Sequence, residues 1–285
     1  AINMSLLVGI LGPGIVKYRL LPSHRRYLAK AKIYRDFLIS IIQEKREALE
    51  NSKSKELKNI IEGMLEAQKQ FPDKAAILDD ESIAGEFVTL FVAGTDTTST
   101  LLSVTTYLLT LYPDLVKDLR EEIKAVIPDG KVTSVSQLNN LELMHSTLKE
   151  VLRLYGPASF TLRQAIRDSQ ILDLKINKGD FVGHGIHWIG QNPKYWENPE
   201  KFEPRRFMKG VLPPNMEPFS FLAFSAGMRN CIGQHFAMIQ AKLVLATFLN
   251  MFDFKNTSPD FKLKMRFTFL YEPQDPVTLT LTRRN

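Results

Sequence analysis

The sequence contains very little cysteine: Cys231 is the one cysteine among 285 residues. A single thiol cannot form a disulfide within the chain, which excludes a disulfide-stapled fold and points to no oxidising compartment. We find no run of about 18 to 20 apolar residues, so we expect no membrane-spanning helix. Residues 1–11 are apolar but lack the charged start and the small-residue cleavage site of a signal peptide.

Clustered basic residues are missing as well, although the formal net charge is +6. Without a Lys/Arg run with interleaved aromatics, nucleic acid is the weakest partner class, which leaves an anionic membrane or an acidic protein. His184, His187 and His235 show no metal-binding spacing with carboxylates or cysteine. A hydrophobic content of 44% and the length of 285 residues fit an ordinary globular protein with a sizeable core.

Apolar residues recur at helical spacing in several segments. The predicted helices cover residues 23–49, 56–68, 79–112, 114–127 and 141–154. The helix at 79–112 is apolar on most faces, so we expect it to be buried in the centre of the fold. Strands and turns are predicted at residues 171–189, an ordered meander at 188–219, and a hairpin at 263–282 that turns around 272–276.

The residues around Cys231 suit a thiolate that binds a metal. Gly227 and Gly233 remove side chains where the backbone must turn or where a flat macrocycle must lie close. Arg229 can reach an anionic group at the edge of a cofactor. A helical pattern follows Gly233, so the sulfur lies at a helix N-terminus, where free N–H groups favour negative charge. The alternative for a lone cysteine is an inert, buried side chain.

This segment resembles the haem-binding signature of the cytochrome P-450 family, Phe-x-x-Gly-x-Arg-x-Cys-x-Gly. Its fixed positions are Phe224, Gly227, Arg229, Cys231 and Gly233. The resemblance implies that Cys231 is the axial iron ligand, that Arg229 contacts a haem propionate, and that Phe224 packs near the sulfur. Ala223 stands where relatives often carry proline, a departure that affects the rigidity of the loop.

A second motif lies within the long apolar helix, at residues 93–99. A glycine, an acid and several hydroxyl residues are poor choices for the middle of a buried helix, so this stretch is either functional or a kink with self-satisfied hydroxyls. It is similar to the oxygen-binding motif of the same family. The resemblance implies that Thr97 contacts dioxygen and that Asp96 relays protons, because proton delivery requires an acid beside an alcohol.

Glu150 and Arg153 are three residues apart on one helix face, a spacing that usually marks a solvated surface pair. Here the helix is otherwise apolar and matches the family's Glu-x-x-Arg helix. The resemblance implies a structural triad completed by Arg206 in the meander. Arg205 stands where glutamate is common, so we expect slightly looser local pairing.

Further site residues come from the register of the resemblance. Arg163 falls where the family places a second propionate-binding arginine, with a plain surface arginine as the alternative. Six residues are weaker candidates for a substrate pocket, with core packing as the competing explanation. They are Phe91, Ala93, Thr98, Ser159, Phe160 and Phe269.

The resemblance implies a mainly α fold with small β-sheets, the cytochrome P-450 fold, incomplete at its N-terminus. We expect one partial domain over residues 1–285, in which 1–22 form the turn between roof helices, 80–112 the central helix, and 220–250 the haem-thiolate loop and following helix. Because early parts of the family's domain are missing, we expect the chain to be a portion of a longer enzyme.

The expected function is that of a haem-thiolate monooxygenase that inserts one oxygen atom of dioxygen into an apolar small molecule or lipid. The expected cofactor is haem b. The expected redox partner is a flavoprotein reductase or an iron–sulfur protein, docked on a basic face with Arg229, His235, Lys242 and Lys209. The eukaryotic microsomal-like branch implies association with the endoplasmic reticulum membrane through the missing N-terminal segment, with the mitochondrial membrane as the alternative. The charge pattern leads us to expect no nucleic-acid partner.

Two other functions stay open. A haem-thiolate isomerase or dehydratase would rearrange peroxides without external electrons, but such relatives tend to lose the acid–alcohol pair that Asp96 and Thr97 retain. A truncated, non-catalytic scaffold would explain the missing first part of the domain. Retention of Cys231, Arg229, Asp96 and Thr97 together counts against a scaffold, since a scaffold needs none of them.

Overall fold

A computed structural model describes residues 22–51, 59–71, 79–211, 217 and 219–284. The chain divides into two compact units, Ala1–Ala93 and Gly94–Asn285. The expected turn at residues 1–22 lies almost entirely outside the described residues. The helix expected at residues 56–68 is described only from residue 59 onward.

The first unit is helical. Helix α1 covers Pro22–Asn51, α2 covers Ile60–Gln70, and α3, which covers Asp80–Leu111, begins here and ends in the second unit. Six apolar residues of these helices form a small core: Leu38, Ile42, Ile61, Leu65, Ile83 and Ala84. Arg46 forms an ion pair with Asp80, and Arg35 one with Glu81, so both join α1 to the start of α3.

Four further α-helices lie in the main body of the second unit: α4 (Pro113–Val126), α5 (Val135–Asn139), α6 (Glu142–Tyr155) and α8 (Gln234–Met251). A short helix, α7 (Ile186–Gly190), precedes the meander. Apolar side chains of α3, α4, α6 and α8 form the main core, with Val104, Leu119, Leu148 and Leu245 fully buried. The mainly α fold predicted from the sequence is confirmed.

The α3 helix is less buried than its composition suggested. Its C-terminal half packs into the main core, but Phe91 and Val92 are 53% and 51% exposed. By length and composition α3 could also cross a membrane, against our expectation that no segment would. A core helix of a soluble protein passes the same test, so the observation is weak evidence for a membrane span.

The short helix α5 was not expected from the sequence. Its N-terminus carries a capping box in which the Gln137 N–H donates to the Ser134 hydroxyl and the Gln137 side chain bonds back to the Ser134 amide. The Ser-x-x-Gln spacing was a signal available in the sequence. At the next helix, Glu122 of α4 accepts hydrogen bonds from the N–H groups of Leu143 and Met144 and so caps α6.

The strands form small antiparallel sheets of two strands each. The pairs are β1 (Phe160–Gln164) with β4 (Phe181–Gly185), β2 (Ser169–Ile171) with β3 (Leu174–Ile176), β5 (Phe252–Asn256) with β8 (Leu279–Arg283), and β6 (Met265–Phe267) with β7 (Tyr271–Pro273).

The predicted turn of the tail hairpin at residues 272–276 is wrong. The chain reverses at residues 268–270, where the Thr268 N–H donates to the Leu270 carbonyl, and β8 pairs with β5 instead. Pro273 lacks the N–H that a longer hairpin would need, but it can still end a strand.

A buried basic group on α8 contacts the short helix α5. Lys242 is only 4% exposed, and its ammonium donates to the Leu138 carbonyl at 2.8 Å. Our expectation that Lys242 lies on an exposed docking face is therefore wrong, because its long stem runs into the core. Burial, helped by the charges of Lys242 and Lys149, lowers the pKa of His145 to about 4.

This environment of His145 predicts a pH-dependent stability. The folded state keeps His145 neutral down to about pH 4, whereas the unfolded chain protonates it near its ordinary pKa of 6.5. The unfolded state therefore binds more protons in this window, and stability falls as the pH drops from 6.5 towards 4. We expect His145→Gln to lose less stability between pH 7 and pH 4.5 than the parent in urea unfolding. The exposed His235→Gln is the control, and an unchanged pH dependence in His145→Gln would contradict the assignment.

Candidate functional site

A fully buried carboxylate organises the region beside the cysteine loop. Glu150 and Arg153 of α6 have side-chain exposures of 0%. Two guanidinium N–H groups of Arg153 donate to the two oxygens of Glu150, each at 2.8 Å. Arg206 donates to the same carboxylate at 3.2 Å, and the Glu203 amide does so at 2.9 Å. The three residues predicted as a triad therefore meet, and the pair is interior instead of solvated.

The remaining donors of the two arginines hold the backbone of the meander. Arg153 donates to the carbonyls of Gly190 and Pro199 at 2.6 Å and of Lys201 at 3.1 Å. Arg206 donates to the Glu197 carbonyl at 3.0 Å. A Cβ at Gly190 would lie 2.6 Å from the Arg153 carbonyl oxygen, so only glycine fits there. The ion cluster thus fixes the backbone of the meander between residues 190 and 201.

Arg205, which we expected to loosen the local pairing slightly, forms an ion pair outside the meander. Its guanidinium donates to Asp118 of α4 at 2.6 Å on the surface. Arg205, in a turn of the meander, thus has a partner on α4 that an inspection of the neighbouring sequence cannot reveal.

The cysteine loop is a sequence of tight turns that ends at α8. Ser225 and Gly227 have φ values of +58° and +76°, and a 3₁₀ turn covers Gly227–Arg229. The Cys231 N–H donates to the Phe224 carbonyl at 2.9 Å, which closes the loop. Gly233 precedes the first residue of α8. The thiol is exposed at the N-terminal end of that helix.

The surface around this thiol fits a flat apolar group with anionic edges, such as haem. Met228, Ile232 and Phe236 expose 100%, 88% and 67% of their surface, an unusual concentration of apolar side chains in open solvent. Nothing lies within 4 Å of a Cβ built on Gly227. No hydrogen bond or ion pair joins Arg229 to any residue that the structure describes, so its guanidinium can accept an anionic partner.

The second motif lies on α3, and all of its residues except Ala93 belong to the second unit. Asp96 is exposed, Thr97 is half-buried, and the Ser99 hydroxyl donates to the Asp96 carbonyl at 3.1 Å. Thr98 is 5% exposed, and its hydroxyl has no partner. The Ser99 hydroxyl is therefore satisfied within its own helix, as the alternative interpretation expected, but the Thr98 hydroxyl is not.

The remaining candidates lie on β1, near the β6–β7 hairpin and on the first unit. Arg163 is exposed, and its guanidinium donates to the Leu162 carbonyl at 2.8 Å. The rings of Phe160 and Phe267 are 5.3 Å apart, so the predicted pocket strand and the tail hairpin touch. Ser159 is buried with an unpartnered hydroxyl, while Phe269 is 92% exposed. Phe91 and Ala93 belong to the first unit, and their share in a pocket stays a prediction.

Comparison with known proteins identifies the family. The cytochrome P450 family model matches residues 3–280. Cytochrome P450 3A9 of Rattus norvegicus is 31% identical, and cytochrome P450 3A5 of Homo sapiens 30% identical, each over 252 residues that make up 88% of this chain and 50% of the relative. A crystal structure of a cytochrome P450, CYP102L1, aligns with a TM-score of 0.83 at 25% identity and covers 93% of this chain and 58% of its own.

This chain belongs to the cytochrome P450 family, and the family implies a haem cofactor. The chain spans about half the length of the curated relatives that it matches.

The aromatic ring beside the ion cluster was not predicted from the sequence. The guanidinium carbons of Arg153 and Arg206 lie 5.3 Å and 5.9 Å from the ring centroid of Trp196. The proline- and aromatic-rich composition of the meander was the available signal, but composition does not show which ring meets which arginine.

The buried carboxylate yields a prediction about stability. Glu150→Gln keeps the shape of the side chain but leaves two guanidinium groups without a counter-charge, so we expect a loss of about 3–5 kcal/mol in the free energy of unfolding. Asp118→Asn makes the same chemical change at the exposed partner of Arg205 and should cost less than about 1 kcal/mol. Denaturant unfolding measures both, and equal losses would contradict the role of burial.

Proposed function

We propose that this chain carries the haem-thiolate half of a cytochrome P450 monooxygenase, with Cys231 as the axial ligand of haem b. The observation that supports this best is the exposed thiol, fixed by its own amide at the start of an 18-residue helix and surrounded by exposed apolar side chains. When bound, the haem supplies redox chemistry on dioxygen, and thiolate ligation favours cleavage of the O–O bond.

The chain's own contribution begins with holding a negative sulfur in one place. The Cys231 N–H donates a hydrogen bond to the Phe224 carbonyl, so the loop backbone cannot move away without breaking that bond. The N-terminus of α8 favours negative charge at the sulfur. We propose that Phe224 covers one side of the sulfur and that Gly227 and Gly233 leave room for the macrocycle.

Two arginines would hold the anionic edge of the cofactor. Arg229 has no bond to any described residue, and Arg163 uses its guanidinium only on the neighbouring carbonyl of Leu162. Both can therefore turn to a propionate without breaking an ion pair. A charge-assisted hydrogen bond from a guanidinium to a carboxylate is among the stronger polar contacts in proteins.

On α3, we propose that Asp96 and Thr97 move protons to the reacting oxygen. Asp96 is exposed and can exchange protons with water, and Thr97 is its neighbour on the same helix. A hydroxyl that donates one hydrogen bond and accepts another can pass a proton inward without becoming charged. Retention of this pair favours a monooxygenase over a reductase-independent isomerase or dehydratase.

The substrate would be an apolar small molecule or lipid. Phe160 and Phe269 offer exposed aromatic surface, while the hydroxyls of Thr98 and Ser159 are buried without partners. Apolar walls with a few polar groups are the usual composition of small-molecule sites.

We further propose that electrons come from a flavoprotein reductase or an iron–sulfur protein with an acidic docking face. Arg229, His235 and Lys209 remain exposed for this contact, whereas Lys242 does not. Resemblance to the 3A relatives supports association with the endoplasmic reticulum membrane. Charge complementarity mainly accelerates encounter, so the rate of first-electron transfer should fall as salt rises.

Replacement of the thiol tests the ligand assignment. We expect the ferrous carbon-monoxide complex of the parent to show the strongly red-shifted Soret band of thiolate ligation, and Cys231→Ala to lose that band. Thr247→Ala, an exposed substitution on the same helix, should keep it. A histidine-type spectrum in the parent would overturn the assignment, and a protein from its native source with only traces of haem would favour the scaffold.

Replacement of the alcohol tests the proton path. Thr97→Ala should keep the thiolate spectrum but lower the fraction of consumed electrons that appear in hydroxylated product, by about ten- to a hundredfold. Thr95→Ala, an exposed hydroxyl two residues earlier, should have little effect. Turnover of a lipid hydroperoxide without reductase, unaffected by Thr97→Ala, would show the isomerase instead.

A further inference from the structure

Three aromatic rings run from the ion cluster to the beginning of the cysteine loop. The rings of Trp196 and Phe207 are 5.6 Å apart, and those of Phe207 and Phe221 are 4.9 Å apart in an edge-to-face arrangement. Trp196 lies under the guanidinium groups of Arg153 and Arg206. The row of rings therefore begins at the charges that fix the meander and ends at the first residue of the loop segment 221–231.

Lys149 joins the end of this row. Its ammonium nitrogen lies 4.5 Å from the ring centroid of Phe207 and 5.0 Å from that of Phe221. It is half-buried, and it forms no hydrogen bond or ion pair with any residue that the structure describes. Although Glu150 is the next residue in the chain, its carboxylate is fully engaged by the two arginines.

A half-buried ammonium without a carboxylate partner needs another source of stabilisation. Burial lowers the pKa of Lys149, which shows that the site costs the charged form some of its hydration. The faces of aromatic rings carry negative electrostatic potential and attract a cation placed over them. The Lys149 ammonium lies over the faces of both Phe207 and Phe221, so cation–π attraction stabilises the ammonium and draws the two rings together.

In this contact Phe207 is anchored to α6, whereas Phe221 belongs to the loop segment that leads to Cys231. The Phe207 amide donates to the Ser146 hydroxyl of α6 at 3.0 Å, and Phe207 is only 9% exposed. Phe221 precedes the carbonyl of Leu222, which accepts from the Ser225 amide at 2.7 Å. It lies three residues before Phe224, whose carbonyl holds the amide of Cys231. A shift of Phe221 therefore shifts both acceptors.

We propose that Lys149 is a positioning residue for the sulfur of Cys231, which it holds in register by clamping Phe221 against Phe207 through its ammonium group. This inference rests on the proposed role of Cys231 as haem ligand. It adds a side chain, outside the cysteine motif and outside the ion triad, on which the geometry of the ligand loop depends.

Amide hydrogen exchange in the haem-free chain tests the clamp without relying on catalysis. Lys149→Met keeps the aliphatic stem and removes the charge. We expect exchange at the amides of Ser225 and Cys231 to become about three- to tenfold faster, while amides in the core half of α3 keep their rates. Lys149→Arg, which restores a cation over the rings, should return the loop amides to near-parental rates. Lys117→Met, an exposed lysine on α4, is the matched control.

A double-mutant cycle shows whether the effect passes through the ring. Phe221→Leu keeps an apolar side chain but removes the aromatic face. If Lys149 acts through Phe221, the effects of Lys149→Met and Phe221→Leu on loop exchange are not additive, and the double variant exchanges little faster than either single variant. Additive effects, or a uniform increase across the core amides, would overturn the proposal.

The haem-loaded chain provides a spectroscopic readout. Lys149→Met should lose the red-shifted ferrous carbon-monoxide band faster on mild warming than the parent, and Lys149→Arg should not. If Lys149→Met speeds loop exchange but the parent lacks the thiolate-type spectrum, the role of Lys149 in holding the loop stands and the proposed function is rejected. Unchanged loop exchange in a protein with that spectrum would keep the function and reject the clamp.

Discussion

A fully buried carboxylate is stable in a folded protein only when cations and N–H groups surround it, and Glu150 meets this condition through Arg153, Arg206 and the amide of Glu203. Even a small displacement of this carboxylate is costly, because each hydrogen-bond donor that it loses leaves part of its negative charge buried without a partner or water. The arginines pass this rigidity to the carbonyls of the meander. The meander in turn leads to the loop that presents Cys231. The meander before that loop is thus held by an ion cluster that contains none of the residues of the cysteine motif.

The parts of the fold that could be predicted were those with a local physical signal. Apolar spacing indicated the helices because one face of each must be buried, and Pro113 marked the boundary between α3 and α4. The Glu-x-x-Arg spacing correctly placed Glu150 and Arg153 on one helix face. Their burial was not readable from spacing, because the same pattern on a surface helix looks identical.

Three of the errors involve partners that are distant in sequence. Lys242 looks like a surface lysine until Leu138, 104 residues earlier, supplies its acceptor. The last strand was assigned to a local hairpin, but its partner β5 precedes that segment, and a pattern of alternation does not choose between neighbours. We expected Arg205 only to loosen the local pairing, because its partner Asp118 is 87 residues away. In each case the partner was set by a tertiary contact, which the local sequence neither indicates nor disfavours.

The presence of one cysteine in these 285 residues also determines how the site would respond to oxidative damage. An exposed thiol that loses its cofactor can be oxidised to a sulfenic acid, and a neighbouring cysteine normally rescues such a group by condensing with it to a disulfide. Within this chain Cys231 has no such neighbour, so further oxidation leads to sulfinic and sulfonic acids that do not revert. Under the ligation proposed above, bound haem would protect Cys231, and a haem-free molecule in an oxidising environment would lose the ability to bind haem again.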